Sequence, residues 1–261
     1  MFRNSKTRFT PHLSCKGAHM SRIVLVHGAF HNASCWDTLV PLLKAQGHSV
    51  TAIDLPGHGS DTTPLETVTL DVYATKVAQE LATSSEPTVL IGHSMGGMVV
   101  TQAADMHLAA GHNLDQLIYL AAFVPRDGQS LVDLAGQPEG AGDMVQANVQ
   151  VDGEPPIGVM PADKAVAAFY ADCTPEVAAK AVTALQKQPI LAFVLPAHIT
   201  NDRELHRSYI STTKDNALPP ALQKKMAKDS NITEFVEISS DHSPFLSHPE
   251  ELAEILRKLI D

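Results

Sequence analysis

Cysteine, positive charge and long apolar runs are what this sequence lacks. Three cysteines occur in 261 residues, at Cys15, Cys35 and Cys173. Their number is odd and their spacing wide. No Cys-x-x-Cys or Cys/His metal pattern accompanies them, which argues against a disulfide framework or a thiolate-bound metal. Lys and Arg number 19 against 29 Asp and Glu, a formal net charge of -10. The clustered cations that displace counterions from a phosphate backbone are therefore missing, and no nucleic-acid partner is expected. No stretch approaches the ~18–20 apolar residues of a membrane span, so no membrane partner is expected either. The first twenty residues carry Arg3, Lys6, Arg8 and Lys16 but lack the roughly 7–15-residue apolar centre of a secretory signal. Residues 1–20 read as a mobile tail or a cloning remnant, with Gly17-Ala18-His19-Met20 resembling a cloning scar. The sequons at Asn32 and Asn231 read as chance matches, and a cytoplasmic location is expected.

What is present is a repeating β-α-β rhythm. Hydrophobic residues make up 44% of the chain, and its length suits one large domain with a sizeable core. Short, unalternating apolar runs fit parallel strands covered on both faces. They fall at Arg22–His27, His48–Asp54, Thr88–Gly92, Leu117–Phe123, His206–Thr212 and Ile232–Ile238. Helical spacing appears between them, at Trp36–Gln46, Leu70–Ala82, Met95–Ala110, Pro219–Lys228 and Pro249–Ile260. The pattern implies an α/β fold with a mostly parallel, doubly wound sheet. Residues 125–196 break the rhythm with Gly- and Pro-rich stretches and two helical patterns, Lys164–Tyr170 and Pro175–Gln186. They read as an insertion capping one end of the sheet, which leaves 21–124 and 197–261 as the core.

The chemistry points to Gly92-His93-Ser94-Met95-Gly96-Gly97. This is G-x-S-x-G directly after a strand and before a helix, the context in which a serine sits on a sharp turn with its hydroxyl exposed. Side chains at 92 or 96 would clash in such a turn. No G-x-G-x-x-G or GK[ST] pattern accompanies it, so phosphate binding is disfavoured. A serine hydroxyl attacks only when a base takes its proton. Among 13 histidines, His242 lies just past the last expected strand and satisfies the order Ser, acid, His; His248 is the runner-up. Asp215, after the penultimate strand, is the candidate acid that would hold the imidazole, with Asp127 as the alternative. Asp241 is expected to make local backbone bonds. The backbone N–H groups of Ala29 and Met95 are the candidate oxyanion donors. His27 and His31 lie in a loop without an acidic third ligand, so no metal and no cofactor is expected.

These stretches resemble a known family. Ile23–His31 with Trp36, then Gly92–Met98, Asp215 with Leu218-Pro219, and Asp241–Phe245 are similar to the hydroxynitrile lyase and plant methylesterase branch of the α/β hydrolases and its bacterial esterase relatives. The resemblance spans about residues 21–261 and implies an α/β-hydrolase fold, a helical cap and a cofactor-free Ser94–His242–Asp215 triad. It also carries departures. The cyanide-eliminating plant enzymes have Thr where Gly28 stands and Lys where Ser243 stands, which favours ester hydrolysis here. The expected activity is a serine-dependent carboxylesterase acting on small, largely apolar or aromatic esters. Phe30, Phe123, Phe169, Leu185, Phe193 and Phe245 are candidate pocket liners, with Met144, Met160 and Leu195 as further ones. The rivals are a hydroxynitrile lyase, a lactonase or amidase, and a non-enzymatic ligand receptor on the same fold. A homodimer is left open.

Overall fold

The computed structural model describes residues 20–200 and 204–260. The expected tail at 1–20 lies outside them except for Met20. The chain runs β1 Arg22–Val26, α1 Leu39–Ala45, β2 Ser49–Ile53, α2 Leu70–Leu81, β3 Thr88–His93, α3 Gly96–Ala109 and β4 Gln116–Leu120. The segment that breaks the rhythm follows, with α4 Leu131–Ala135, α5 Met144–Asn148, β5 Gln150–Asp152, β6 Ile157–Val159, α6 Ala162–Phe169, α7 Pro175–Thr183, β7 Gln188–Pro189 and α8 Leu191–Val194. The rhythm then resumes in β8 Arg207–Thr212, α9 Pro220–Asp229, β9 Glu234–Ile238, α10 Pro244–Ser247 and α11 Pro249–Ile260.

The main sheet has six parallel strands in the order β2-β1-β3-β4-β8-β9. Alternate residues of each strand enter opposite cores. Val24, Val26, Leu90, Leu117, Tyr119 and Tyr209 face α2, α3 and α9. Ile23, Leu25, Val89, Ile91, Ile118 and Ile210 face Trp36, α1, α11 and Phe245. Burial on both faces is why these strands read as unbroken apolar runs rather than as alternating ones. A second sheet, β5-β6-β7, is antiparallel and lies entirely within residues 125–196.

Of the elements that differ from expectation, such as the helix from Pro175 that ends at Thr183 rather than Gln186, two do so for clear reasons. The helix expected over Trp36–Gln46 divides into a 3-10 turn at Ala33–Trp36 and α1. Pro41 lacks an N–H, and α1 begins so that Pro41 sits in its first turn, where none is required. The strand expected over Leu117–Phe123 stops at Leu120. Ala121 takes φ 43°, and the buried Tyr209 hydroxyl grips the next residue at both ends: it accepts from Ala122 N–H at 3.0 Å and donates to Ala122 C=O at 2.8 Å. That grip turns the chain so that Phe123 O meets α3 at Gly97. Tyr209→Phe would leave both backbone groups buried and unpaired. It is expected to lower stability by about 1–3 kcal/mol, measured by urea unfolding; an unchanged midpoint would contradict the role given to this hydroxyl.

Candidate active site

The turn between β3 and α3 brings Ser94 to φ 55°. L-residues rarely hold this conformation unless the surroundings impose it. Here they do, because three backbones pass within contact distance. A Cβ on Gly92 would lie 2.7 Å from Gly96 O, and one on Gly96 would lie 2.7 Å from His27 O. A Cβ on Gly97 would overlap Phe123 O. Only glycine lets the turn close, and closure places Ser94 at the carboxyl edge of the sheet, where doubly wound sheets bind ligands. On its other side Ser94 packs against Gly28, where an added Cβ would come within 2.8 Å of Ser94 Cβ.

His242 lies in the loop between β9 and α10 and is 1% exposed. Its Nδ1 is 2.7 Å from Asp215 Oδ2, inside the pair's shared burial. A carboxylate only accepts, so Nδ1 carries the hydrogen and Nε2 keeps a lone pair. Asp215 is fixed from several sides. Its Oδ1 accepts from Ala217 N–H and Leu218 N–H, both at 2.8 Å, and its Oδ2 from Thr212 Oγ1 at 2.7 Å and Gln223 Nε2 at 3.0 Å. The Gln223 amide also donates to Leu218 O at 2.7 Å, while its oxygen accepts from Ser211 Oγ and Thr212 N–H. His93, beside the serine in sequence, donates from Nε2 to His242 C=O at 2.9 Å, and the two rings are 4.5 Å apart. The alternative acid Asp127 instead accepts from Ile199 N–H, and the alternative base His248 bonds the Ser247 hydroxyl. Among the described residues Ser94 Oγ has no hydrogen-bond partner; such contacts commonly tighten only when substrate binds.

Neither Ala29 N–H nor Met95 N–H donates to a protein acceptor among the described residues, and both residues line the cavity that holds Ser94. That cavity measures about 250 Å³, at the small end of the roughly 300–1,000 Å³ usual for ligand sites. Phe30, Phe123, Phe169 and Phe193 line it as expected from the sequence, joined by Leu131, Val145, Val149 and Ile190 from residues 125–196 and by two further polar residues, Asp143 and Gln146. Asp143 caps α5 through Val145 N–H and Gln146 N–H, and burial raises its carboxyl above the usual range. Leu185, Phe245, Met144, Met160 and Leu195 are not among the lining residues. Phe245 lies on the far side of the sheet, its ring 4.7 Å from Trp36 and 4.9 Å from His93, because Pro244 starts a helix that turns inward there. Leu185 follows α7 and packs against the core from the outside. A larger cavity of about 680 Å³ beside Asp105, Arg207 and Asn231 includes none of the candidate triad.

Asp241 does more than the local bonding expected of it. Its carboxylate accepts from Ser243 N–H and Ser247 Oγ, and also from Asp172 N–H of the insertion at 2.9 Å. No sequence pattern singles out Gln223, Gln146 or Asp143. His93 alone had a signal, its place inside G-x-S-x-G.

The histidines around the serine are held neutral. Burial, followed by the nearby His58, brings His27 down to about 3, and burial brings His31 to about 4. Burial with the His242 and His31 rings puts His93 well below its usual value, and burial also lowers His58. Both nitrogens of His31 are engaged: Nδ1 donates to Ala29 O at 2.7 Å, and Nε2 accepts from Tyr170 OH at 2.8 Å. His27 likewise spans Gly28 O and Leu55 N–H. Neither ring has a lone pair to offer a metal, and no cluster of three metal-ligating side chains occurs among the described residues.

A family model described as alpha/beta hydrolase family matches residues 23–255. A pyrethroid hydrolase of Sphingobium wenxiniae is 31% identical over 254 residues, covering 92% of this chain and 87% of the relative. A chloroplastic relative of Arabidopsis thaliana, named as methylesterase 13, is 28% identical over 253 residues; the chain spans only 56% of that protein's length. Among solved structures, a pyrethroid hydrolase from Sphingobium faniae JZ-2 superposes with a TM-score of 0.82 at 29% identity, covering 92% of this chain and 97% of the other. No helix among the described residues is long and apolar enough to cross a membrane.

The lowered histidines set a pH dependence of stability. In the unfolded chain each takes a proton near pH 6.5, whereas in the folded protein His27 and His31 do so only near 3 and 4. Between those values the unfolded chain binds more protons, so stability falls as pH falls, by up to about 1.4 kcal/mol per unit for each such ring. The melting temperature is expected to drop from pH 7 to pH 5, and His31→Gln, which takes no proton, to shallow that slope. A flat profile over the interval would refute this account.

Proposed function

The chain belongs to the alpha/beta hydrolase family, and from that premise we propose that it is a serine-dependent carboxylesterase acting on small, largely apolar or aromatic esters. The observation that carries this reading is the buried imidazole of His242, held by Asp215 at 2.7 Å through Nδ1 so that Nε2 is the basic nitrogen, in a loop bonded by His93, the chain neighbour of a strained serine that lines an apolar cavity. The esterase names of the relatives support it.

In the proposed cycle Ser94 Oγ attacks the ester carbonyl while His242 Nε2 takes its proton. Asp215 stabilises the imidazolium. The carbonyl oxygen gathers charge against the Ala29 and Met95 N–H groups, each such donor being worth about 3–4 kcal/mol. His242 returns the proton to the departing alcohol, then activates the water that releases the acid. Residues 125–196 act as the cap, and Phe30, Phe123, Phe169 and Phe193 enclose the uncharged group.

Hydroxynitrile lyase activity is disfavoured by Gly28 and Ser243. A threonine at 28 would collide with Ser94, and Ser243 is fully buried and supplies no cation beside the base. A lactonase or amidase would share the triad, and substrate profiling separates them. Ser94→Ala is expected to cut p-nitrophenyl acetate turnover about a thousandfold or more, abolish fluorophosphonate labelling and leave the melting temperature near wild type. The wild-type protein is expected to release no cyanide from mandelonitrile. Undiminished turnover in Ser94→Ala would overturn the assignment.

A further inference from the structure

We propose that Gln188 is a positioning residue for the oxyanion site, holding the peptide after Ala29 so that, of the N–H groups at 29 to 31, that of Ala29 remains to meet the substrate oxygen. This inference rests on the esterase reading above. The loop after β1 has an unusual backbone, with Phe30 at φ 64°. A bulky residue keeps such a conformation only when its neighbours over-determine it. The bonds that do so come largely from the insertion. Phe30 N–H donates to Gln188 Oε1 at 3.1 Å, and Phe30 C=O accepts from Gln186 N–H at 2.8 Å. Ala29 C=O, the other end of the same peptide plane, accepts from His31 Nδ1 at 2.7 Å. The plane between residues 29 and 30 is thus fixed at its N–H and its C=O.

The Gln188 amide cannot turn to face Phe30 the other way. It is fully buried, and its Nε2 donates to Tyr73 OH at 3.2 Å and to Pro189 C=O at 3.1 Å. Its oxygen is therefore committed to Phe30. Of the successive N–H groups at 29, 30 and 31, that of Phe30 is taken by Gln188 and that of His31 by Gly28 C=O at 3.4 Å. Ala29 N–H is left, in a residue that lines the cavity with Ser94 and Met95. Without the Gln188 oxygen, Phe30 N–H would be buried and unpaired. The strained loop would then relax toward another acceptor and swing Ala29 N–H off its line.

Replacing Gln188 should weaken the transition state while leaving ground-state binding alone, which a merely structural role would not do. The test uses the full chain with p-nitrophenyl acetate as substrate and phenyl trifluoromethyl ketone as probe. Ser94 Oγ adds to the ketone carbonyl, its proton passes to His242, and the former carbonyl oxygen becomes an oxyanion in the same site. For Gln188→Met, with circular dichroism and melting temperature showing a folded protein, kcat is expected to fall about ten- to a hundredfold with KM within about twofold. The ketone inhibition constant should rise by the same factor, while inhibition by phenylacetate, a product-like acid, stays unchanged. Gln188→Glu keeps an acceptor for Phe30 N–H and, protonated in its buried site, a donor for Pro189 C=O; it should turn over within about fivefold of wild type. A folded Gln188→Met with wild-type kcat and ketone affinity overturns the proposal. If that variant does not fold, a folded Gln188→Glu with kcat down a hundredfold overturns it instead. Failure of the underlying reading looks different: the unaltered protein would show no turnover that depends on Ser94.

Discussion

Backbone passes backbone at Ser94, and the rest of the site depends on that contact. The carbonyl of His27 comes so near the start of α3 that residue 96 has no room for a Cβ, and Phe123 O does the same at residue 97. These contacts hold β1, β3, α3 and the turn after β4 in one relation. They also decide what the serine faces. Ser94 sits at φ 55°, and among the described residues the N–H of Met95 has no protein acceptor, in a residue that lines the cavity. Strain of this sort persists only because several elements share it. Tyr209 does part of this work from a distance, since its hydroxyl fixes Ala122 and so the carbonyl of Phe123.

Residues 125–196 are tied to each loop that supplies the candidate site. Met144 N–H donates to Asn216 C=O and Asn216 Nδ2 to Ala167 C=O, both at 2.9 Å, beside Asp215. Asp172 N–H reaches Asp241, next to His242, and the Asp172 carboxylate pairs with Lys214 Nζ at 2.9 Å. Gln186 and Gln188 bracket Phe30, next to Ala29. The segment that walls the cavity therefore also bears on the loops that carry Asp215, His242 and Ala29. These ties are mostly bonds to or from backbone, which any residue can make, so they leave little trace in the sequence.

This explains which parts of the molecule could be read before the structure. Strands buried on both faces must be continuous apolar runs, and β1, β3 and β8 were legible for that reason. The serine was legible because only glycine fits around it. Chain order and loop position singled out His242 and Asp215 as candidates, and the structure brings their side chains together. The small sheet was not: β5 is exposed along its three residues and β7 has two, too short for any periodicity to register. The cavity walls were read by half. Aromatic residues were natural candidates, but nothing in the sequence distinguishes Phe193, which faces the cavity, from Phe245, which fills the opposite core against Trp36. That choice is made by the direction in which a loop leaves the sheet.

The absence of a side chain at Gly28 bears on chemistry as well as packing. An added Cβ there would stand 2.8 Å from Ser94 Cβ and 3.0 Å from His93 Nδ1. His93 cannot yield, since its Nε2 is bonded to His242 C=O, and Ser94 is fixed by its turn. A threonine at 28, as the lyases that this chain resembles have, would have to displace Ser94 or His93. The serine is thus seated closer to the oxyanion loop than a branched neighbour would permit. Under the proposed mechanism, the charge that develops on an attacked carbonyl is met by backbone N–H groups, with no hydroxyl from residue 28 to hold a substrate oxygen in the ground state. If the proposed esterase reading holds, a site so arranged favours the tetrahedral state of acyl transfer over the binding of a cyanohydrin.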